Sequence, residues 1–238
     1  MILEQVSPIM QNYYSRVAVV IAALNEESGI GPTITEIKGV LSNAHLIVVD
    51  GNSSDRTVEI AQSCGANVCL QKGVGKGDAM LQGIKKLNLD QRYVVFTDAD
   101  YTYPAESIPR MIQVMERSSK VGMVLGDRSR GSTNGDKSSK NVFYIGNRLI
   151  ALVQYFMNGV KLNDPLSGLR VVRAELLRNW RPKSKGFDVE VEMNALVDRE
   201  GYQIAEVPID YRPRLGKKKL GPRHGIEIFK RIVWLSLE

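Results

Sequence analysis

The sequence predicts a single α/β domain in which a mostly parallel, Rossmann-like sheet is flanked by helices. Its 238 residues, 43% hydrophobic and 24% charged, are enough to form a full core. From residue 16 onward, short apolar runs alternate with longer stretches of helical periodicity, which is the pattern of a parallel sheet. The sequence contains no internal repeat and no linker, so the second half is expected to extend the same domain.

Seven apolar runs are predicted to be strands, at residues 17–23, 46–50, 66–71, 93–97, 121–126, 168–172 and 203–208. Helices are predicted at 33–41, 56–64, 76–87, 105–117, 142–156, 188–199 and 225–237. Residues 127–140, rich in glycine, serine and charge, are interpreted as a mobile loop and a lid. The chain is accordingly divided into a tail, a domain and a C-terminal amphipathic helix, at 1–15, 16–220 and 221–238.

The formal net charge of +6 and the isoelectric point near 9.3 suit a partner that carries phosphates, as a nucleotide, a nucleic acid and an anionic lipid all do. The two cysteines, Cys64 and Cys69, have no cluster of further Cys or His around them. This argues against structural zinc and for a reduced, cytoplasmic location. The sequence shows no signal-peptide pattern and no membrane-spanning apolar run, so a soluble or peripheral protein is expected.

Polar residues follow the first two predicted strands, at the edge where open α/β sheets bind ligands. Asn25 and Glu26 come after the first strand, and Asp50 ends the second. A carboxylate in the position of Asp50 can accept hydrogen bonds from the base or ribose of a nucleotide. Asp55, slightly further on, is interpreted as a helix cap.

The fourth predicted strand ends in VVFTDADYTYP, where Asp98 and Asp100 flank a small residue. Two carboxylates in this arrangement at a strand end can jointly bind a hard divalent cation, which in turn bridges a diphosphate. An isolated pair of aspartates is more often a pair of solvated loop acids. Here the preceding apolar strand and the following Tyr-Pro favour a metal site.

The segment GVGKGDA at 73–79 is not a Walker A loop, because no Ser or Thr follows its lysine, and it does not match the dinucleotide-binding fingerprint. It is predicted to be a turn that presents Lys76 near a donor phosphate, or a plain tight turn. The second half adds cations in loops, namely Arg128, Arg130, Arg170, Arg212, Arg214 and Lys217 to Lys219. Arginine binds phosphate oxygens as a fork, and the lysine run also suits an anionic leaflet.

The last segment, HGIEIFKRIVWLSLE, is predicted to be an amphipathic helix. Its apolar face is predicted to comprise Ile226, Phe229, Ile232, Val233 and Leu237. Such a helix can lie on a membrane surface or dock on the core of its own domain, and the sequence leaves both open.

Taken in order, these motifs resemble those of the family-2 inverting glycosyltransferases of the GT-A fold. Among these, they are most similar to the dolichyl-phosphate and polyprenyl-phosphate sugar synthases, which transfer mannose or glucose. The similar segments are Asn25-Glu26, Asp50, GKGDA at 75–79, DAD at 98–100, Gly126 with Arg128, DPLSGLR at 164–170, and the stretch 206–220 that begins EVP. The resemblance therefore covers nearly all of residues 17–220.

The resemblance implies that a sugar moves from a nucleotide diphosphate donor to a lipid phosphate at the cytoplasmic face of a membrane, with inversion, in the service of protein glycosylation. It implies Mg²⁺ or Mn²⁺ on Asp98 and Asp100. No general base is assigned, because a phosphate monoester, with a second pKa of about 6, is already an anion. The residues expected to position the two phosphates are Arg128, Arg214 and Lys219. Those expected to contact the donor are Asn25, Glu26, Asp50, Lys76, Asp98 and Lys219.

Two departures from the family pattern leave the donor open among GDP-mannose, UDP-glucose and UDP-N-acetylglucosamine. Gly51 replaces a second aspartate, and Thr102 stands where a glutamine is common. One alternative is a transferase of the same fold with a saccharide or other hydroxyl acceptor, for which Glu190 or Glu192 would be the base. Another is a nucleic-acid-binding protein, which the charge permits but no recognition motif supports, so no nucleic acid partner is expected.

Overall fold

The computed structural model of the protein describes residues 14–130, 137–219 and 221–238. Within these ranges the strands are β1 (Val17–Ala23), β2 (His45–Asp50), β3 (Asn67–Leu70), β4 (Tyr93–Asp98), β5 (Val121–Asp127), β6 (Arg170–Arg173) and β7 (Gln203–Pro208). The helices are α1 (Glu27–Val40), α2 (Thr57–Ser63), α3 (Lys76–Ile84), α4 (Ile108–Arg117), α5 (Lys137–Asn158), α6 (Ala174–Arg178), α7 (Val189–Arg199) and α8 (Pro222–Leu235). A 3₁₀ helix, Ala105–Ser107, precedes α4.

The strands form one sheet in the order β3-β2-β1-β4-β6-β5-β7. Neighbouring strands are parallel, except that β6 runs antiparallel to both β4 and β5. The strand order reverses direction between β1 and β4. In open α/β sheets, the carboxyl ends at such a switch point frame the ligand-binding crevice.

Helices cover both faces of the sheet. Along β1, Val17, Val19 and Ile21 point into a core cluster with α1 and α4. Val20 points the other way, into a second cluster with α3 and α7. A strand that is buried on both faces must be apolar at every position, which explains the continuous VAVVIAA run. The predicted fold class, a single α/β domain with a mostly parallel sheet, is confirmed.

Several helix bounds differ from the sequence prediction. Helix α1 begins at Glu27 rather than at residue 33, with Pro32 inside it. Its first turn packs so tightly that a Cβ on Gly29 would lie 2.5 Å from the carbonyl oxygen of Ala99, and this packing outweighs the local preference of proline. Helix α5 begins at Lys137, within the predicted loop 127–140, and the short helix α6 was not predicted.

Helix α8 docks on the core through Ile228, Ile232 and Leu235. The predicted apolar face was therefore only partly right, because Ile226 and Phe229 remain exposed. Residues 1–13 of the predicted tail, residues 131–136 of the predicted lid and residue 220 lie outside the described ranges. In the part of the chain that the structure describes, no helix combines the length and apolarity needed to cross a bilayer.

Candidate functional site

Three acidic side chains meet at the switch point of the sheet. Glu26 follows β1, Asp98 ends β4, and Asp100 lies just beyond it. Because β1 and β4 pair in parallel, with Ala22 opposite Asp98, their carboxyl ends lie side by side. The predicted metal-binding pair and the residue predicted to contact the donor are thus brought to one edge.

The turn after β4 has an unusual backbone. Tyr101 adopts a φ of 65°, a left-handed conformation that bulky residues rarely take. The turn is held by Thr102, whose backbone N–H and Oγ1 donate to Asp100 Oδ1 at 3.1 Å and 2.6 Å. These contacts fix the direction of the Asp100 carboxylate and leave Oδ2 for other partners.

Lys76 lies between Asp98 and Glu190. Its Nζ is 2.7 Å from Asp98 Oδ1 and 2.8 Å from Glu190 Oε1. Burial disfavours the charged form of each group, but the ammonium of Lys76 holds the pKa of Asp98 below its usual value. In this structure, therefore, the lysine predicted to lie near a donor phosphate supports a carboxylate at the predicted metal site.

The glycines around Lys76 allow two segments to pack closely. A Cβ on Gly75 or Gly77 would lie 2.1 Å from the backbone oxygen of Lys185 or Ser184, respectively. The N–H of Gly77 donates to the carbonyl of Lys185 at 2.9 Å. The GKG pattern therefore reflects tight backbone packing that places Lys76 at the start of α3.

Arg214 and Lys219 contact the other two acids. Arg214 Nη2 is 2.8 Å from Glu26 Oε1 and 3.2 Å from Asp100 Oδ2. Lys219 Nζ also pairs with Glu26 Oε1. Burial raises the pKa of Glu26, and burial together with the charge of Asp98 raises that of Asp100. Two predicted phosphate-positioning cations thus lie directly on the acids.

A segment that we call the strap, residues 209–219, carries these cations across the site. The N–H of Arg212 donates to the carbonyl of Thr102, and the N–H of Leu215 donates to the carbonyl of Asp100, both at 3.0 Å. The Arg212 guanidinium binds Glu36 as a fork at 2.6 Å and 2.8 Å. The strap backbone is therefore fixed on both sides of Arg214, whose side chain points toward the acids in this structure.

Arg128 is held by Asp164, and its guanidinium stacks on the ring of Tyr211 in the strap at 5.3 Å. Its Nε and Nη2 each donate to the carboxylate of Asp164 at 2.7 Å. Asn147 of α5 donates to the same carboxylate at 2.9 Å, and Glu206 accepts the N–H of Asp164 at 2.8 Å. The fork orients the guanidinium of Arg128, whose side chain is about a quarter exposed.

Asn25 and Asp50 organise the two neighbouring loops. Asn25, with a φ of 49°, accepts the N–H of Ser54 at 2.8 Å. Both carboxylate oxygens of Asp50 accept hydrogen bonds from Ser53. Asp55 accepts the N–H of Thr57 at the start of α2, but the N-cap residue of that helix is Arg56, so the interpretation of Asp55 as the cap was one residue off. In this structure Asp50 shapes its own loop, and its contact with a nucleotide stays a prediction.

Sequence reasoning gave no role to Asp164, Asn147 or the strap's hydrogen bonds. Asp164 does stand in the DPLSGLR segment, and a conspicuous acid there was the only available signal. The arginine of that segment, Arg170, is fully buried and donates to three backbone oxygens and to Asn194. Arg170 therefore stabilises the fold of this segment through its hydrogen bonds and is not an exposed cation.

The site fits a divalent cation only in part. Carboxylate oxygens are the ligands that Mg²⁺ and Mn²⁺ prefer, and Asp98 and Asp100 provide two such groups. Glu26 Oε2 is a buried oxygen with no hydrogen-bond partner among the described residues. No cluster of three or more Asp, Glu, His or Cys in a metal-binding arrangement occurs within the described ranges. Oxygens of a bound diphosphate would therefore be needed to complete the coordination.

The chain is similar in sequence to known glycosyltransferases. The family model for glycosyl transferase family 2 matches residues 18–181. A dolichyl-phosphate hexose transferase of Haloferax volcanii is 36% identical over 229 residues, covering 94% of this chain and 96% of that protein. An undecaprenyl-phosphate mannosyltransferase of Micrococcus luteus is 28% identical, covering 86% of this chain and 87% of that protein.

Solved structures confirm the GT-A fold. Glucosyl-3-phosphoglycerate synthase from Mycobacterium tuberculosis in complex with UDP superposes with a TM-score of 0.73 at 21% identity, covering 99% of this chain and 86% of that one. The complex of that enzyme with Mn²⁺, UDP-glucose and phosphoglyceric acid gives 0.72 at 23% identity, covering 92% and 79%. At this identity the likeness establishes the fold alone.

Proposed function

Because this chain belongs to glycosyl transferase family 2, we propose that it transfers a hexose from a nucleoside diphosphate to a polyprenyl phosphate, with inversion. The observation that carries the proposal is the contact of Arg214 with both Asp100 and Glu26. It puts a phosphate-binding guanidinium beside Asp100, one of the two carboxylates suited to a divalent cation, and beside the neighbouring Glu26. The similarity to a dolichyl-phosphate hexose transferase over 94% of the chain supports the acceptor.

On the donor side, Asp98 and Asp100 would hold Mg²⁺ or Mn²⁺, which when bound neutralises the charge of a departing nucleoside diphosphate. Lys76 keeps Asp98 ionised, which is the form that can coordinate a cation. Arg214 now shares Asp100 and Glu26, and in the loaded enzyme its guanidinium would turn to the phosphate oxygens of the donor. Lys219, which also pairs with Glu26, would add a second positive charge there.

On the acceptor side, Arg128 is the residue we assign to the lipid phosphate. Its fork with Asp164 uses Nε and Nη2, which leaves Nη1 without an acceptor among the described residues. A guanidinium oriented by one carboxylate can bind a phosphate through its remaining N–H groups. The hydrogen bonds that link Glu206, Asp164 and Arg128 thus hold the Arg128 guanidinium in place for the acceptor.

A phosphate acceptor needs no general base, because it is already an anionic nucleophile. The two candidates for the base that a hydroxyl acceptor would require, Glu190 and Glu192, each have partners within the protein. Glu190 pairs with Lys76 and is 4% exposed, and Glu192 accepts the N–H groups of Lys183 and Ser184, both at 2.8 Å. This engagement favours a phosphate acceptor over a saccharide or another alcohol.

The test is a transfer assay with the full chain, Mn²⁺, detergent and labelled GDP-mannose, UDP-glucose or UDP-N-acetylglucosamine. The acceptors are dolichyl phosphate, undecaprenyl phosphate, the matched alcohol dolichol and 3-phosphoglycerate. We expect one donor to label the organic phase with a polyprenyl phosphate, and we expect a chelator to abolish the label. Transfer to dolichol or 3-phosphoglycerate, with none to either lipid phosphate, would contradict the proposed acceptor.

A Glu190→Gln variant separates the two acceptor classes further. Since Glu190 is not a base in the proposed reaction, the variant should keep transfer to a polyprenyl phosphate within about ten-fold of the unmodified enzyme, a modest loss for a group outside the chemical step. A loss of several thousand-fold, with donor binding intact, would show that the residue acts as a base and would favour a hydroxyl acceptor.

A further inference from the structure

The outward face of helix α5 carries an apolar stripe that nothing in the described structure covers. Its members are Ile145, Leu149, Leu152 and Phe156, which are 65%, 60%, 53% and 79% exposed. They follow one another at intervals of four, three and four residues, so they line up on one side of the helix. With a rise of about 1.5 Å per residue, this α5 stripe is about 16 Å long.

The opposite side of α5 is already bound to the protein. Ala151 and Gln154 are buried, and Gln154 donates to the carbonyl of Val191 at 3.1 Å. Asn147 donates to Asp164, the partner of Arg128. The helix is thus fixed in place, and the stripe is not needed for the core of this chain.

Helix α8 adds apolar surface beside α5. The two helices are joined by a hydrogen bond from Asn158 Nδ2 to the carbonyl of Ile232 at 3.3 Å. On one flank of α8, Arg231 pairs with Asp188 at the start of α7. Phe229, which is 49% exposed, lies on the other flank, about 160° away at the 100° per residue of a helix.

The charges around the stripe indicate what kind of surface it faces. The sequence of α5 contains no acidic residue, and Arg148 of this helix is exposed. Lys161, just after α5, and Lys230 of α8 are exposed as well. A second copy of the same face would bring like charges together, whereas an anionic bilayer would attract both the cations and the apolar side chains.

We propose that the α5 stripe seats the protein on an anionic bilayer surface, with Phe229 of α8 at its border. This inference rests on the proposed function, because a polyprenyl phosphate acceptor resides in a bilayer. Asn147 connects the buried side of α5 to Asp164 and Arg128. The helix that seats the protein therefore also holds the residue assigned to the acceptor phosphate.

The test measures co-sedimentation of the full chain with vesicles of phosphatidylcholine containing 30% phosphatidylglycerol. The Leu149→Gln/Phe156→Gln variant should bind these vesicles at least ten-fold more weakly than the unmodified protein. The matched control, Leu70→Gln/Leu89→Gln, removes two side chains of similar exposure, 60% and 85%, from β3 and the loop before β4. It should bind like the unmodified protein, and vesicles of phosphatidylcholine alone should bind both less tightly.

Two further measurements keep this inference separate from the proposed function. With a short, water-soluble isoprenyl phosphate and no vesicles, the stripe variant should retain its transfer activity, which also shows that it is folded. Vesicle binding through the stripe without transfer to any polyprenyl phosphate would contradict the proposed function but support the proposal that the α5 stripe binds a bilayer. The bilayer proposal would be overturned if the unmodified protein did not bind vesicles. It would also be overturned if the unmodified protein were a dimer in analytical ultracentrifugation and the stripe variant a monomer.

Discussion

The acidic and the basic parts of the candidate site are built in different ways. The acids Glu26, Asp98 and Asp100 stand within a few residues of the ends of β1 and β4, so the sheet alone brings them together. The cations Arg214 and Lys219 reach Glu26 from 188 and 193 residues further along the chain. Short-range sequence signals therefore identify the acids, whereas only the folded strap shows which acids the cations contact.

The largest expected effect concerns the acidic part. Asp100→Asn keeps the shape of the side chain and removes the charge that would hold the metal, so transfer should fall by roughly 1000-fold, at the upper end of what one preorganised electrostatic contact contributes. Steady-state transfer to a polyprenyl phosphate measures this loss.

The matched control for Asp100→Asn is Asp55→Asn, which changes another acid near a strand end. Asp55 accepts hydrogen bonds from Thr57 and Glu27. The Asp55→Asn variant should therefore change the free energy of unfolding by about 1 kcal/mol at most and leave transfer nearly unchanged. Equal losses of activity in both variants would erase the distinction between the metal site and its neighbouring loop.

The next effect concerns the basic part. Arg214→Gln removes the guanidinium that shares Glu26 and Asp100, and kcat should fall roughly 100-fold, because one charge-assisted contact to the donor phosphates is lost. Arg212→Gln, two residues earlier on the strap, removes the fork with Glu36 and the contact with the Tyr101 ring but no contact with the acids, and it should lower kcat much less. If both variants lost the same activity, the strap would act only as a structural element.

A third prediction joins the two parts through stability. Lys76→Met leaves the buried Glu190 and the partly exposed Asp98 without their shared cation and should lower the free energy of unfolding by about 3 kcal/mol. Combining it with Glu190→Gln should destabilise the protein less than the sum of the single changes, since one stranded charge is removed. Chemical denaturation of the three variants measures the coupling. Strict additivity would show that Lys76 and Glu190 do not interact in solution.

The smallest effects are expected from two glycine-to-alanine changes, one of which should lower the stability of the protein while the other raises it. Gly77→Ala would place a Cβ 2.1 Å from the backbone oxygen of Ser184 and should lower stability by about 1–3 kcal/mol. Gly39→Ala, in α1, meets nothing within 4 Å in the described structure and should raise stability by about 0.5–1 kcal/mol. Thermal unfolding tests both. A stabilising Gly77→Ala would contradict the close packing that positions Lys76.

Much of the sheet follows from local sequence. Strands β1 and β7 begin and end at the predicted residues, and each end of the other strands lies within two residues of its predicted position. Helix starts were harder, since the tertiary packing of Gly29 overrides the boundary that Pro32 suggests. The sequence of β6, a short apolar run, does not indicate that this strand runs antiparallel to its neighbours. The pairing of Arg128 with Asp164 spans 36 residues and could not be read from either segment alone.

The most direct test of this account is a calorimetric titration of the donor's nucleoside diphosphate into the unmodified protein and into Asp100→Asn, with Mn²⁺ or with EDTA. We expect Mn²⁺ to tighten binding to the unmodified protein at least ten-fold, and we expect Asp100→Asn to lose this gain. Equal affinity in Mn²⁺ and EDTA, or an undiminished gain in the variant, would contradict the assignment of the β4 carboxylates to a metal-bound diphosphate.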